Sequence, residues 1–380
     1  MGSKMSDAAA PNPTSGRGLG DAFEKLCPKV FIVNMFGLEA EAWRSEMTRG
    51  VLDLTARRIR LPGLSPKYPY IFCTGDGTVC QIITAEGLIN ASLALSALLS
   101  SPLFDLRRTY FIIAGIAGVS PKMGSLGTVA FARYAVQVDL QYEFDSREVP
   151  ADWVTGYVPL GTMHPSQYPT QFYGTEVFAL NDELRKVAQG LAEKATLRES
   201  QTAAAYGALY AAEPNHAFHA ATLPPSVIQG DVASSDVFFH GPHITRGVEG
   251  YCRLITHGQA NYCMAAQEDN GTLAALMRAA QAGAVDFSRV VLLRSGSNFD
   301  QPPPGETTSI PDMPLHLAHG GIELALENAR IAGHEVVKGI LRDWDEIFLV
   351  GIPPKRYIGD DPKGIGGGGC IVSLGGDGKQ

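Results

Sequence analysis

The residues best placed for chemistry follow a short apolar run at positions 111–113, which predicts a strand buried on both faces. Gly115 and Gly118 come next and predict a tight turn at the carboxyl end of that strand. Open α/β sheets bind ligands at this edge. Glycine there either permits positive φ or lets a ligand approach the backbone, so the segment indicates a small-molecule site or a plain turn.

Carboxylates and amides follow two other predicted strands. Glu39 and Glu41 come after the first strand, and Asn298 and Asp300 come after a strand in the last third of the chain. Such side chains can exchange protons or bind hydroxyl groups. Each pair also has a purely structural interpretation, because acids in a first helical turn interact with the helix dipole and Asn and Asp form turns.

Three histidine pairs have the i, i+3 spacing that could place two metal ligands on one helical face. They are His216 and His219, His240 and His243, and His316 and His319. Glycine or proline interrupts the surrounding segments, and a metal site needs further ligands of matching geometry. The three-glycine dinucleotide pattern is also absent near Gly115. We therefore expect no metal and no cofactor.

The composition narrows the classes of partner. With 45% hydrophobic and 18% charged residues, the chain can bury a large core. A formal charge of -8 without a run of Lys or Arg argues against nucleic acid or an anionic membrane. The longest apolar stretches are much shorter than the ~20 residues of a membrane span. The six cysteines lack CxxC spacing, which predicts free thiols and favours a reducing compartment.

Apolar periodicity predicts strands that alternate with helices. The strands are expected at residues 29–34, 68–73, 78–83, 111–113 and 290–294, and the helices at 38–48, 88–100, 181–194, 258–282 and 317–343. This alternation predicts a mostly parallel sheet covered on both faces. We expect residues 1–25 to be a disordered tail with an expression scar, 26–358 one domain with an insertion at about 148–225, and 359–380 a flexible Gly-rich tail.

Three segments, FIVNMFGLEAEAW, GIAGVSPKMGSLGTVAFA and SGSNFDQPPPG, resemble the purine nucleoside permease family, which is related to the nucleoside phosphorylase and nucleosidase superfamily. The resemblance covers nearly all of residues 28–355. It implies a nucleoside phosphorylase-like, three-layer α/β/α sandwich with a central, mostly parallel mixed sheet. It also implies a purine nucleoside as the ligand and a homo-oligomer, with a dimer favoured.

The resemblance assigns roles to several polar residues. Glu268 matches a ribose-binding carboxylate, although the surrounding sequence without the resemblance favours an exposed helix acid. Asn298 matches the group that engages purine N7, with Asp300 two residues away. Glu39 matches the carboxylate that activates water in hydrolytic relatives, and Glu41 is the alternative.

Further substrate contacts follow from the same resemblance. They are Gly115, Ile116, Ala117, Phe238, Phe239, His240 and Gln267. Of the two consecutive phenylalanines, only one is expected to stack on the base, since neighbouring strand residues face opposite ways. His240, or His243 in its place, is a candidate for a hydrogen bond to ribose.

The choice between Glu39 and Glu41 rests on helix geometry. Two residues apart on a helix, their side chains point about 200° from each other. Trp43 lies four residues after Glu39 and shares its face. We therefore expect Glu39 to face the ligand and Glu41 to face solvent.

This chain differs from the phosphorylases of the related superfamily at two positions, and these differences decide which reaction is predicted. Phosphorolytic relatives hold phosphate with an Arg and a Ser, where this chain has Ile113 and Ile116. Arg133 and Arg294 could replace them but are equally suited to structural ion pairs. The sequence thus favours a cytoplasmic purine nucleoside hydrolase, with secretion as the alternative location. The alternative functions are a purine nucleoside phosphorylase and a non-catalytic nucleoside-binding component of uptake.

Overall fold

The computed structural model of the protein describes residues 25–45, 52–305 and 319–368. Apart from Lys25, the tail expected at residues 1–25 lies outside the described residues. The strands are β1 (Val30–Asn34), β2 (Arg57–Arg60), β3 (Tyr70–Cys73), β4 (Val79–Ile83), β5 (Tyr110–Val119), β6 (Val129–Ala132), β7 (Tyr134–Gln137), β8 (Tyr142–Glu143), β9 (Tyr157–Val158), β10 (Val177–Ala179), β11 (Val227–Gln229), β12 (Asp231–Ser234), β13 (Tyr262–Ala266) and β14 (Val290–Phe299). The α-helices are α1 (Gly37–Trp43), α2 (Leu88–Leu99), α3 (Asp182–Ala192), α4 (Gln201–Ala208), α5 (Pro242–Ile255), α6 (Asp269–Gln281) and α7 (Gly321–Arg342).

Alternate side chains of the central strands build one apolar core on each face of the sheet. In β1, Phe31 and Val33 belong to a core shared with α2 and α6. Val30 and Ile32 belong to a core shared with α1, α3 and α7. Because successive strand residues point to opposite faces, helices cover both sides of the sheet. The expected three-layer α/β/α class with a mixed sheet is confirmed.

Strand β5 lies at the centre of the sheet and changes its neighbour along its length. Its residues 110–113 pair in parallel with β1, and Gly118 and Val119 pair with antiparallel β13. Strand β14 pairs in parallel along the other edge of β5. Strands β1 and β13 therefore lie one after the other along the same edge of β5. Between them, a gap remains beside residues 114–117 of β5.

Three sequence predictions of local structure are wrong near this gap. Gly115 and Gly118 lie inside β5 rather than in a turn. The last strand continues to Phe299, with an irregular register between Gly296 and Asn298. The long helix predicted at residues 258–282 divides into β13 and α6, because its first half is buried as a strand beside β12 and β5.

The prediction that the cysteines are free thiols is wrong for one pair. Cys73 and Cys80 face each other on antiparallel strands β3 and β4, with Cα atoms 4.1 Å apart, and form a disulfide. The sequence shows two cysteines seven residues apart, and only the pairing of the strands brings them together. Cys252 and Cys263 are buried free thiols.

The expected insertion and the C-terminal tail also pack onto the domain. Residues 148–225, expected as an insertion, include α3, whose residues Leu184 and Ala188 join the core beside α7. In the C-terminal tail, Gly359 pairs with Ala179 and Ile365 is buried. The part of this tail up to Gly368 therefore packs against the domain, and the rest lies outside the described residues.

The position of α1 depends on close packing between Trp43 and Gly333 of α7. A Cβ atom added at Gly333 would lie 2.7 Å from the Trp43 ring. We expect Gly333→Ala to lower the free energy of unfolding by ~1–3 kcal/mol, because it overpacks the core. Gly250→Ala in α5 is the matched control, since no atom lies within 4 Å of the added Cβ and helix propensity improves by up to ~1 kcal/mol. Urea denaturation measures both, and equal stabilisation by the two substitutions would contradict the packing role.

Candidate functional site

A cavity of about 350 Å³ opens in the gap between β1 and β13. This volume lies within the range of small-molecule sites. The cavity is lined by Met35, Phe36, Leu38, Glu39, Glu86, Ile116, Ala117, Gly118, Ser235, Val237, Phe238, Phe239, Ala265, Ala266, Gln267, Glu268, Arg294, Ser297, Asn298, Asp300 and Ile322. Most of its wall is apolar or aromatic, and its charged groups gather where β5, β14 and the start of α6 meet.

Arg294 is the centre of the polar end and is only 1% exposed. Its Nε donates to Asp269 Oδ2 at 3.2 Å, and its Nη2 donates to Asp269 Oδ1 at 2.6 Å and Glu268 Oε2 at 3.1 Å. Its Nη1 donates to the carbonyl oxygen of Ile116 at 3.1 Å. Burial alone lowers the pKa of Arg294, but Asp269 and Glu268 outweigh burial and raise it. Because most of its N–H groups already donate to Asp269, Glu268 and Ile116, this guanidinium has few donors left for a ligand.

Glu268 presents a carboxylate to the cavity from the residue before α6. Its Oε1 accepts a hydrogen bond from the backbone N–H of Gly87 at 3.3 Å, and its Oε2 accepts from Arg294. Burial raises the pKa of Glu268, and the positive charge of Arg294 opposes that rise. A carboxylate held on two sides still has lone pairs that can accept from a ligand.

Glu39 faces into the site and Glu41 is exposed, so the orientation predicted from helix geometry is confirmed. Glu39 Oε1 accepts from the N–H of Ile116 at 2.8 Å, and Oε2 accepts from the N–H of Met35 at 2.7 Å. Burial raises the pKa of Glu39 to about 7, although Arg294 and these N–H groups act in the opposite direction.

Gly115 makes room for this arrangement. A Cβ atom at position 115 would lie 2.5 Å from Glu39 Oε1 and 2.7 Å from Arg294 Nη1. Gly115 therefore lies beneath the two charged groups rather than in the wall of the cavity. The sequence predicted that a glycine here could allow a ligand to approach the backbone closely. The atoms that approach Gly115 instead belong to the side chains of Glu39 and Arg294.

Asn298 and Asp300 border the cavity from the end of β14. The Asn298 side chain accepts from Ser297 Oγ at 3.0 Å and donates to the Phe299 carbonyl at 3.1 Å. Asp300 is buried, and its Oδ2 accepts from the Tyr262 hydroxyl at 2.8 Å. Among the described residues, Asp300 Oδ1 has no hydrogen-bond partner. Burial raises the pKa of Asp300 to about 7, against the effect of the Tyr262 hydrogen bond.

The two phenylalanines play different parts. Phe238 is 48% exposed at the cavity, whereas Phe239 is partly buried and packs against the apolar cluster around Val248 and Tyr262. The ring of Phe238 is therefore the freer one for contact with a ligand. Gln267 also lines the cavity and donates to the Asp236 carbonyl at 3.3 Å.

His240 does not line the cavity. It is half-buried, and burial lowers the pKa of its imidazole. Ile116 and Ala117, the remaining expected contacts, do line the cavity from β5.

Sequence reasoning missed Asp269 and Tyr262 and left Arg294 between two interpretations. The structure confirms the ion-pair interpretation of Arg294. One signal could have found it, because a single charge inside an apolar strand must be paired with another buried charge. Asp269, which binds Arg294, and Tyr262, which donates to Asp300, were hidden by the incorrect helix prediction for residues 258–282.

The arrangement suits a ligand with a flat apolar part and a hydroxyl-bearing part. Among the described residues that border the cavity, Arg294 is the one cationic side chain, and its donors are largely occupied by Asp269, Glu268 and Ile116. Glu39, Glu268 and Asp300 place carboxyl groups in the wall. The cavity therefore favours an uncharged hydroxylated molecule over a phosphorylated one.

Comparison with known proteins identifies the family. Residues 27–353 match the family described as purine nucleoside permease. A Candida albicans protein named purine nucleoside permease is 40% identical over 354 residues, which cover 92% of this chain and 84% of that protein. The chain belongs to the purine nucleoside permease family. The resemblance seen in the sequence motifs is thus confirmed.

Two solved structures are also similar to the chain. A 5'-methylthioadenosine/S-adenosylhomocysteine nucleosidase from Neisseria meningitidis is 15% identical, with 83% of this chain and 99% of that chain covered and a TM-score of 0.48. The futalosine hydrolase of Helicobacter pylori is 13% identical, with 82% and 98% covered and a TM-score of 0.48. Likeness of this kind does not carry an activity from one protein to another.

The family names correct two expectations. The prediction that this chain is a purine nucleoside hydrolase enzyme is wrong, because its relatives are named permeases. The predicted cytoplasmic location is wrong for the same reason, since a permease name denotes transport across a membrane. Within the described residues, no helix has the length and apolar character that a membrane span requires.

The buried carboxyl of Asp300 makes stability depend on pH. Its pKa is about 7 in the folded protein and 3.8 ordinarily, so between these values the folded state keeps a proton that the unfolded state releases. The free energy of unfolding should therefore fall as pH rises through this window and level off above it. Asp300→Asn should reduce that slope, and denaturant titrations at several pH values measure it. Exposed Asp345→Asn is the control, and an unchanged slope in Asp300→Asn would contradict the prediction.

Proposed function

We propose that this chain binds a purine nucleoside in the cavity described above and acts as the nucleoside-binding component of purine nucleoside uptake. The observation that carries the proposal is the Glu268 carboxylate, held at the polar end of a cavity whose wall is mostly apolar. The names of the relatives support the choice of ligand and of uptake.

The polar end fits the sugar. A ribose carries two adjacent hydroxyls, and a carboxylate can accept one hydrogen bond on each oxygen. Arg294 and the Gly87 N–H hold Glu268 in place, so little side-chain entropy is lost when a ligand binds. Hydrogen bonds to a charged acceptor contribute ~1.5–3 kcal/mol each, which makes this contact a major source of affinity.

The apolar end fits the base. Phe238 offers an exposed ring for stacking, and aromatic contacts of this kind contribute ~0.5–1.5 kcal/mol beyond their buried area. Asn298 and Asp300 border the same space and supply polar atoms for the edge of a purine. Because Asn298 is engaged with Ser297 and Phe299, Asp300 is the group with an uncommitted oxygen.

A comparison of two ligands isolates the role of Glu268. Glu268→Gln should bind inosine ~10–10²-fold more weakly than the unchanged protein, because it loses the charge of the hydroxyl acceptor. The same substitution should change the affinity for 2′,3′-dideoxyinosine by less than ~3-fold, since this analogue lacks both hydroxyls. Titration calorimetry measures both constants.

The control for this comparison is Glu41→Gln, because Glu41 is an exposed acid that does not line the cavity. It should leave both affinities near those of the unchanged protein. If Glu268→Gln weakened the binding of both ligands equally, Glu268 would not be the residue that recognises the ribose hydroxyls. Failure of the unchanged protein to bind inosine, guanosine or adenosine would refute the proposed function.

Transport itself requires a cellular test. Cells that lack their own purine nucleoside uptake should accumulate labelled nucleoside when they express this chain, and less when they express Glu268→Gln at the same level. Chromatography of the nucleoside after incubation with the purified protein should recover it intact. Accumulation that is equal with and without the chain would contradict a role in uptake.

A further inference from the structure

We propose that the cavity binds its nucleoside together with one proton, which Glu39 takes up from solvent. The inference rests on the proposed function, since it concerns the same ligand in the same cavity. It adds a second ligand, the proton, and assigns the group that holds it.

The charges at the polar end do not balance when every group is ionised. Glu39, Glu268 and Asp269 are all buried, and Arg294 is the guanidinium among them. Arg294 forms ion pairs with Asp269, at 2.6 Å, and with Glu268, at 3.1 Å. Glu39 is held by the backbone N–H groups of Ile116 and Met35 instead. Two carboxylates are therefore paired with one cation, and the third adds a further negative charge.

Five other charged groups belong to the same site as Glu39. Arg294 in β14, Asp300 just after β14, Glu268 just before α6 and Glu86 before α2 line the cavity, and Asp269, the first residue of α6, is bound to Arg294. Four of these five are acids. The one neighbouring cation lowers the pKa of Glu39, but burial outweighs it and, with a smaller contribution from Glu268, brings that pKa to about 7.

A bound nucleoside makes the excess negative charge at the polar end of the cavity less favourable. Ribose hydroxyls that donate to Glu268 favour its ionised form, and Asp269 is already bound bidentately by Arg294. The ligand also displaces water from the cavity, so an ionised Glu39 would be a second excess charge in a dry site. Protonation of Glu39 removes that charge. The neutral carboxyl can still accept from the two N–H groups and gains an O–H that can donate to the ligand.

Proton uptake fixes the direction of the pH dependence. Below about pH 7, Glu39 is already protonated in the free protein, so affinity should be constant. At higher pH, binding has to capture a proton, and affinity should fall by up to ~10-fold for each pH unit.

Calorimetry in buffers of different ionisation enthalpy counts the proton directly. Inosine and adenosine are titrated into the unchanged protein, Glu39→Gln and Glu41→Gln just above neutral pH. The unchanged protein should take up a fraction of a proton that approaches one as pH rises. Glu39→Gln should take up none and should bind with pH-independent affinity. Glu41, exposed on the same helix, supplies the matched control, and Glu41→Gln should behave like the unchanged protein.

The outcomes separate this inference from the function on which it rests. Nucleoside binding without proton uptake would overturn the inference and leave the proposed function standing, whereas absence of binding at every pH would overturn both. Uptake that persists in Glu39→Gln would overturn the assignment to Glu39. Should Glu39→Gln fail to fold, infrared difference spectra of the unchanged protein with labelled glutamate should show a protonated carboxyl gained on binding, and its absence would overturn the inference.

Discussion

The buried guanidinium of Arg294 is the interaction on which the rest of the site depends. It connects β14 to the Ile116 carbonyl of β5 and to the two acids at the start of α6. Removing one partner of a buried charge pair costs ~3–5 kcal/mol, because the remaining charge stays buried without compensation. The position of Glu268 and the direction of α6 are thereby coupled to one side chain. A mobile surface carboxylate could not present its oxygens to a ligand so reproducibly.

The sheet supplies the space that this charge network surrounds. Strand β5 exchanges β1 for β13 along one edge, so the backbone opens beside residues 114–117 without losing the strand. Gly115 completes the opening, since any side chain there would collide with Glu39 and Arg294. The site therefore results from strand order and from one missing Cβ atom. It does not require a long loop, whose ordering would cost entropy on binding.

The groups that recognise a nucleoside are of the same types as those that could cleave one. Carboxylates that bind ribose hydroxyls and an amide or acid at the base serve both purposes, which is why the sequence favoured a hydrolase. Fold and residue type together do not decide between these functions. The relatives that share most of the length of this chain are named permeases.

The sequence by itself determined the α/β class, the family and several of the polar residues that line the cavity, among them Glu39, Glu268 and Asn298. Those features depend on local apolar periodicity and on short motifs, which survive without knowledge of distant contacts. Helix geometry alone also predicted that Glu39 points inward and Glu41 outward. Only the tertiary structure decided that residues 262–266 form a strand, that Cys73 meets Cys80, and that Arg294 binds Asp269. Each of these depends on segments far apart in the chain or on strand pairing, and burial against a neighbouring strand overrides local helical propensity.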